Sequence, residues 1–429
     1  MGRKVFISFL GAGNYSPVQY QNSSIKTPYV QTALLHRFGK NYFDKVRILT
    51  TPKSEEKHWK QLSDDLRPFI TDKTSIEHVP LSEDLANAQW KWFETILNLV
   101  DQEDKVWFDM THGFRAFSII LSTAVSFIQK SKSIDLKGVY YGAHEAPDKP
   151  IINMADFYTI NDWADGVSQL IDTADASKLA ELAESASSDS FQALRDEELI
   201  QALKDLTDIV RNIDVNHVAA TADRAMGIVR EKITQCSGAD KQLLIMVEDK
   251  FKDLAVSYPP SGRYDSAYFK LQLKLIEMLN THELYMQSFT VMRELIGSIG
   301  MLAVQKGDNR DNGELRKVYA EAFLSALQLK CKWDHDAFKK LNADDLEQVR
   351  IFTERFLKDV AGKKKMKSLT YKIKDIRNGF DHAWTAAGPD KKKELENVSD
   401  RSIECKDALK KVIDRMNEEN IIPTTQEVE

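Results

Sequence analysis

Cysteine is scarce in this chain: three in 429 residues, Cys236, Cys331 and Cys405. They lie far apart and never in a C-x-x-C spacing. That pattern excludes a disulfide framework and a cysteine-based zinc site, and it suits a reducing cytoplasm. Long apolar runs are also missing. A membrane helix needs about 20 consecutive apolar residues, and no stretch approaches that. The opening MGRKVFISFLGAG holds a short apolar run of about six residues and reads as a strand, not a signal peptide. Positive charge is not in excess. The formal net charge of −6 rules out a basic coat for a polyanion, so any nucleic-acid contact must come from a local patch. No G-x-x-x-x-G-K-[ST] loop occurs. After Gly11 and Gly13 the third glycine of a dinucleotide fingerprint is replaced by Ser16, which argues against ordinary NAD binding. Internal repeats, heptads, low-complexity tracts and a basic helix-turn-helix recognition helix are absent as well.

What is there is a chain of two characters. At about 100–200 residues per domain, the length predicts two or three domains. Strand and helix patterns alternate over residues 1–160. Strands are expected at Lys4–Leu10, Lys45–Thr50, Ser75–Val79, Lys105–Met110, Leu136–Tyr141 and Ile151–Phe157, and helices at Tyr29–Phe38, Glu55–Phe69, Glu83–Val100 and Phe114–Gln129. Strands separated by helices imply a parallel, doubly wound sheet. The short connection through Pro147–Pro150 makes one of the last two strands antiparallel. Beyond about residue 162 strand patterns vanish. Ala174–Ser190 reads as a linker or a helix, and residues 190–429 read as helices, broken at Tyr258-Pro259-Pro260-Ser261-Gly262. The expected organisation is an α/β domain over 1–165, a helical connecting region over 166–280 and a second all-α domain over 281–429.

In an open α/β sheet, ligands bind beyond the carboxyl ends of the strands. Three such ends carry chemistry here. Gly11-Ala12-Gly13-Asn14-Tyr15 follows the first strand, with glycines for close backbone approach and a side-chain amide and ring beside them. Thr50 and Thr51 follow the second, with Lys53 close behind. Asp109-Met110-Thr111-His112-Gly113-Phe114-Arg115 follows the fourth and opens a helix. Its backbone N–H groups, hydroxyl, imidazole and guanidinium suit a phosphate or a ribose edge. Asp109 has two readings, a cap for the following helix or a ligand contact, and His112 is either a turn residue or a donor.

Near the other end, Tyr371–Trp384 reads YKIKDIRNGFDHAW and contains Arg377, Asn378 and His382 as R-N-x-x-x-H. An imidazole titrates near neutrality and can move the proton of a 2′-hydroxyl or a leaving group. A guanidinium clamps the charge that builds on a scissile phosphate. Asn378 can hold either partner by hydrogen bonding. These are the parts of a metal-independent ribonuclease. On an ideal helix Arg377 and His382 are five residues and about 140° apart. Either Gly379 loosens the helix, or two copies of the chain pair to complete one site; the second is preferred. The bland alternative is that Asp381 simply pairs with Arg377. Lys363-Lys364-Lys365-Met366-Lys367 precedes the motif and reads as an RNA-attracting or merely solvated loop. Met292-Arg293-Glu294 places charges in an apolar helix, where they need partners if buried. His217, His282 and His335 read as structural, and Trp90 and Trp92 as core or interface residues.

Asp109-x-Thr111-His112-Gly113 after the fourth strand resembles the signature of CRISPR-associated DxTHG-motif proteins, within the wider set of CARF-domain ancillary effectors of type III CRISPR systems. The G-x-G-N-Y loop is similar to their first loop. R-x4-H with Asn after Arg, late in an all-helical domain, resembles the HEPN ribonucleases. The resemblance implies an α/β Rossmann-like (CARF) domain followed by an all-α region ending in a HEPN domain. It implies a cytoplasmic homodimer or higher oligomer that binds cyclic oligoadenylate, with cyclic tetra-adenylate ahead of cyclic hexa-adenylate, and cuts single-stranded RNA to 2′,3′-cyclic phosphate ends without metal or other cofactor. Ligand contacts would come from Gly11, Gly13, Asn14, Tyr15, Thr50, Thr51, Thr111, His112 and Gly113, and catalysis from Arg377 and His382 with Asn378 supporting. Two alternatives remain: a sensor that also degrades its activator, through Thr50, Thr51 and His112, and a non-enzymatic ligand-sensing regulator.

Overall fold

The computed structural model describes the chain except residues 1, 22, 85–86, 114, 186–190, 256–262, 305–311, 330–331, 336–337, 340, 386–395 and 425–429, and the side chains of 115–116. The expected break at Tyr258–Gly262, Cys331 and the side chain of Arg115 therefore lie outside the described residues. Two compact units are present, Met1–Asn161 and Asp162–Glu429.

The first unit is a six-stranded sheet. Its strands are β1 (Lys4–Leu10), β4 (Lys45–Thr50), β5 (Ser75–Pro80), β6 (Lys105–Asp109), β7 (Asp135–Gly142) and β8 (Ile151–Asn153), in the spatial order β5-β4-β1-β6-β7-β8. All pairings are parallel except β7 with β8, which is antiparallel as the short connection requires. Helices cover both faces, so β1 is buried along nearly its whole length. Val5, Ile7 and Phe9 point to one face and pack with Trp92 and Ile96 of the helix Gln89–Leu97 and Phe117 and Leu121 of the helix Arg115–Lys132. Phe6 and Leu10 point to the other, against Val30 and Leu34 of the helix Val30–Phe38 and Leu62 of the helix Lys60–Leu66. This is the period-2 alternation of a strand sandwiched between two apolar layers.

Two details depart from the sequence reading. A two-stranded ribbon, β2 (Val18–Gln19) with β3 (Lys26–Thr27), lies between β1 and the first helix. Strands of two residues leave no periodic signal. The strand expected over Ile151–Phe157 ends at Asn153, and a helix runs from Ala155 to Thr173. Asn153 ends the strand by accepting the backbone N–H of Ala155 on its side chain. Trp90 is 77% exposed, whereas Trp92 is buried.

The second unit is helical throughout its described residues. One continuous apolar core runs from Trp163 to Ile422. The division expected near residue 280 therefore does not separate two cores, and the boundary expected at 165 falls at 161. Ser177–Ser185 is a helix, not a linker, as its Ala and Glu content favours. The lysine run is not a loop before the motif helix. It is the first turn of that helix, which spans Lys363–Asp381.

Candidate functional site

The next strand of the sheet after β1, β4, lies on one side of β1, and β6 lies on the other. The chain therefore reverses direction across the sheet between β1 and β6, which opens a crevice at their carboxyl ends. A cavity of about 610 Å³ occupies that place, lined by the loop Gly11–Ser16, by Thr111, His112 and Gly113, and by Val18, Tyr20, Pro28 and His144. Gly11, Gly13, Asn14, Tyr15, Thr111, His112 and Gly113 are thus brought together. Val18, Tyr20 and Pro28 come from the ribbon region and His144 from the turn after β7; no sequence motif marks them.

Asp109 organises the second loop from below. It is buried, and its Oδ2 accepts the Ser8 hydroxyl at 2.6 Å. Its Oδ1 accepts the Thr111 hydroxyl at 2.6 Å and the Thr111 backbone N–H at 3.1 Å. Thr111 Oγ1 in turn accepts the Gly142 N–H at 2.8 Å. The ends of β1, β6 and β7 are joined by this chain of bonds, so Asp109 clamps the loop and is not among the residues lining the cavity. Burial pushes its carboxyl up to about 6, against the opposing pull of the Ser8 and Thr111 hydrogen bonds.

Gly11 is required by close approach. A Cβ there would lie 2.3 Å from the His112 carbonyl oxygen and 2.8 Å from the Tyr15 hydroxyl. Tyr15 packs its ring 4.3 Å from His112 and 4.6 Å from His58 between centroids. His58 Nε2 donates to the Gly13 carbonyl at 2.7 Å, and Lys57 Nζ donates to the Ala12 carbonyl at 3.0 Å and to Asn14 Oδ1 at 2.8 Å. Both residues sit on a widened, π-helical turn, Glu55–Trp59, a local geometry that recurs at functional sites. Sequence reasoning missed Lys57 and His58, which are distant in sequence from either motif.

Burial, with His144 and His58 nearby, lowers the His112 imidazole to about 4. It is neutral at physiological pH. Its Nε2 is buried and has no hydrogen-bond partner among the described residues. The described cavity lining carries no lysine or arginine. It offers rings, backbone groups and single polar atoms, which suits a nucleobase and its sugar better than a bare polyphosphate.

Thr50 and Thr51 are not part of this cavity. They are 1% and 3% exposed. Thr50 Oγ1 is hydrogen-bonded to His78 Nε2. Thr51 caps the turn at Pro52–Ser54, accepting the Ser54 N–H at 3.4 Å. A capping threonine has its hydroxyl already committed to backbone, and the Thr50 hydroxyl is committed to His78, so the structure does not bring these two residues into the cavity.

In the second unit, the motif helix buries Met366, Thr370, Ile373 and Ile376. Arg377 leans on Asp381, Nη2 to Oδ2 at 3.2 Å, the bland pairing foreseen from the spacing. Its Nε is buried without a partner among the described residues. His382 is exposed and stands one residue past the helix end. The end itself is a Schellman motif: the Trp384 N–H bonds the Gly379 carbonyl at 2.8 Å and the Ala383 N–H bonds the Phe380 carbonyl at 3.0 Å. Ala383 and Trp384 hold left-handed backbone, φ 46° and 56°. Gly379 does not loosen the helix. It makes room for the Trp384 indole, whose ring atoms would lie 2.6 Å from a Cβ. Asn378 is half-buried, and its carbonyl accepts the His382 N–H at 3.1 Å.

The charges within the apolar helix Tyr285–Met301 are paired. Glu294 accepts from Arg316 and from Arg293 at 2.6 Å each, and Arg293 also reaches Glu321 at 2.6 Å. Burial opposes the Glu294 charge, but the two guanidinium groups hold its carboxyl below the usual range. His217 pairs with Asp214 at 2.8 Å, and His282 Nδ1 donates to the Asp172 carbonyl at 2.8 Å, structural roles for both.

No family model matches the chain. Over 130 residues, 29% of this chain, it is 24% identical to the CRISPR-associated protein MJ1674 of Methanocaldococcus jannaschii. The match spans 19% of that protein's own length. A solved structure, Enterococcus italicus Csm6 bound to cyclic hexa-2′-fluoro-hexa-dAMP, aligns with 97% of this chain and 95% of its own at 12% identity and a TM-score of 0.42. That likeness is too weak to carry anything across from one protein to the other. The chain thus has a Rossmann-like α/β unit followed by an all-helical unit, and over part of its length it is similar to a CRISPR-associated protein.

Proposed function

We propose that the chain is a ribonuclease of type III CRISPR defence, switched on by cyclic oligoadenylate bound at the cavity between the β1 and β6 loops. The observation that carries this reading is the convergence of Gly11–Tyr15 and Thr111–Gly113 on one cavity at the reversal point of the sheet. The similarity to a CRISPR-associated protein and the DxTHG resemblance point the same way. Tyr15 and the neutral His112 suit an adenine ring and its polar edge, and the backbone at Thr111–Gly113 suits the ribose.

In the helical unit, His382 would take the proton of the RNA 2′-hydroxyl or return one to the 5′-oxygen that leaves. Arg377 would hold the phosphate as its charge grows. The 2′-oxygen bonds to phosphorus as the P–O5′ bond breaks, which leaves a 2′,3′-cyclic phosphate and a 5′-hydroxyl. Arg377 must first leave Asp381, a half-exposed pair worth at most about 1 kcal/mol. Because His382 lies past the helix end while Arg377 lies within it, a second copy is assigned to complete the site, and the working unit is a homodimer. For the ligand to take this pair from mostly resting to mostly active, it must bind the active form about 5.5 kcal/mol more tightly.

The test is cleavage of labelled single-stranded RNA with and without cyclic tetra- and hexa-adenylate. Stimulation by one ring supports the reading, and no stimulation by any ring refutes it. The alternative of a self-degrading activator loses Thr50 and Thr51, which stand outside the cavity. Linear products from the ring in an Arg377→Ala, His382→Ala protein would restore it. Unchanged RNA cleavage by His382→Ala would favour a non-enzymatic C-terminal unit or another nuclease centre.

A further inference from the structure

The motif helix carries more charge than its fold uses. Between Lys363 and Asp381 there are seven cations and only two carboxylates, Asp375 and Asp381, in a protein of net charge −6. Lys363, Lys364 and Lys365 are exposed and crowd the first turn. The free backbone N–H groups there already carry positive partial charge, so cations at this end weaken the helix. No described carboxylate is paired with any of the three. A structural role does not account for them.

The arrangement on the helix surface is directional. At about 100° per residue, Lys364, Lys367, Tyr371, Lys374 and Asn378 fall within a stripe about 80° wide and about 21 Å long, and it points at His382. Tyr371 is exposed and lies in the middle of the stripe. Its hydroxyl donates to the Gln328 carbonyl at 3.1 Å, and Lys374 Nζ donates to Gln328 Oε1 at 3.0 Å, which fixes both side chains. Lys367 Nζ sits 5.3 Å from the Tyr371 ring centroid. A groove of about 430 Å³ opens beside the start of the stripe, lined by Lys364, Lys365, Ser368 and Lys372. Lys372 is tied to Glu404 at 3.0 Å. Asp375 borders the stripe, and Asp381 is engaged with Arg377.

We propose that this stripe, with the groove at its start, is a track for single-stranded RNA, with Lys364 and Lys365 of the groove holding backbone phosphates and Tyr371 stacking a base so that the strand runs on toward His382. An anchored aromatic ring among cations is the design by which single strands are held without sequence preference, because every base has a face to stack. A duplex keeps its bases paired and cannot use the ring. Tyr371 is thus a positioning residue that selects for unpaired RNA. The proposal rests on the ribonuclease reading for its purpose, but binding can be measured apart from cleavage.

The experiment is fluorescence anisotropy of a labelled single-stranded RNA on full-length His382→Ala protein, over a range of salt. Tyr371→Ala is expected to weaken binding about tenfold, and Tyr371→Phe, which loses the Gln328 bond but keeps the stacking face, to weaken it by no more than about twofold. The Lys364→Gln, Lys365→Gln protein is expected to flatten the slope of log affinity against log salt by about 1.4, about 0.7 for each phosphate no longer neutralised. Equal weakening by Tyr371→Ala and Tyr371→Phe, an unchanged salt slope, or equal affinity for the duplex of the same sequence would each overturn the track. If wild-type protein cuts no RNA with any ring while these binding effects persist, the track stands and the nuclease reading fails.

Discussion

The cavity at the ends of β1 and β6 and the motif at the end of the helix Lys363–Asp381 are built on opposite principles. In the first, Ser8, Asp109, Thr111 and Gly142 lock three strand ends together through buried hydrogen bonds. The described residues that face the cavity are fixed by packing. In the second, Arg377 is held by one half-exposed ion pair and His382 hangs from a helix end in solvent. The lesson is one of readiness. A binding site gains from being formed before its ligand arrives, since ordering costs are met in folding. On the proposed reading, a nuclease that must stay silent gains from parts that are present but not yet assembled.

The contrast can be broken most severely at the second site. His382→Ala or Arg377→Ala should lower ring-stimulated RNA cleavage by about 10² to 10⁴, with ring affinity unchanged by calorimetry. A loss of ring binding in either variant would show that the two sites are not separately built.

At the first site the strongest handle is pH. The Asp109 carboxyl is raised to about 6 from an ordinary 3.8, so the folded protein holds this proton where the unfolded chain has released it. The stability it contributes is fully present below about pH 4 and is lost as pH rises through 6. The shift amounts to about 3 kcal/mol. Urea unfolding of wild type and Asp109→Asn should therefore converge at low pH and diverge toward pH 7, with the wild type falling behind. Parallel curves would mean the clamp is not buried in solution.

Gly11→Ala tests the close approach of the two loops. The clash with the His112 carbonyl should weaken ring binding by about tenfold, a typical cost of overpacking, with RNA binding to the helical unit unaltered. The smallest effect belongs to the helix end. Ala383 occupies a left-handed position that favours glycine, so Ala383→Gly should stabilise the protein by up to about 1 kcal/mol in thermal unfolding. A destabilised variant would show that His382 is held by some other geometry.

Much of this was legible in advance, for different reasons in the two units. Continuous apolar strands such as Lys4–Leu10 and Lys105–Asp109 announce a covered parallel sheet, and its strand ends mark the crevice. The D-x-T-H-G loop is read directly because its bonds are local: Asp109 accepts from Thr111, two residues on. What sequence could not show is long-range. Lys57 and His58 reach the Gly11–Tyr15 loop from over forty positions away, and Ser8 meets Asp109 across the sheet. Thr50 and Thr51 lie outside the cavity, which the sequence does not reveal, because a hydroxyl at a strand end looks alike whether it faces a cavity or is bonded within the fold. The lysine run was misread as a loop because charge at a helix start contradicts helix electrostatics. At the R-N-x-x-x-H motif the spacing announces the Arg377–Asp381 pair, but not the role of the glycine: Gly379 serves Trp384, a contact no local pattern announces.

The central claim is that a ligand held by the first unit governs a reaction in the second. It is tested most directly by the rate of single-stranded RNA cleavage as a function of cyclic oligoadenylate concentration, in wild type and in His112→Ala. His112 lines the cavity, its buried Nε2 has no partner among the described residues, and it is not among the residues assigned to catalysis. The variant should need about two- to tenfold more ligand, the worth of a hydrogen bond, and then reach the same maximal rate. A lower plateau with no shift in the midpoint, or cleavage that ignores the ligand in both proteins, would contradict the account.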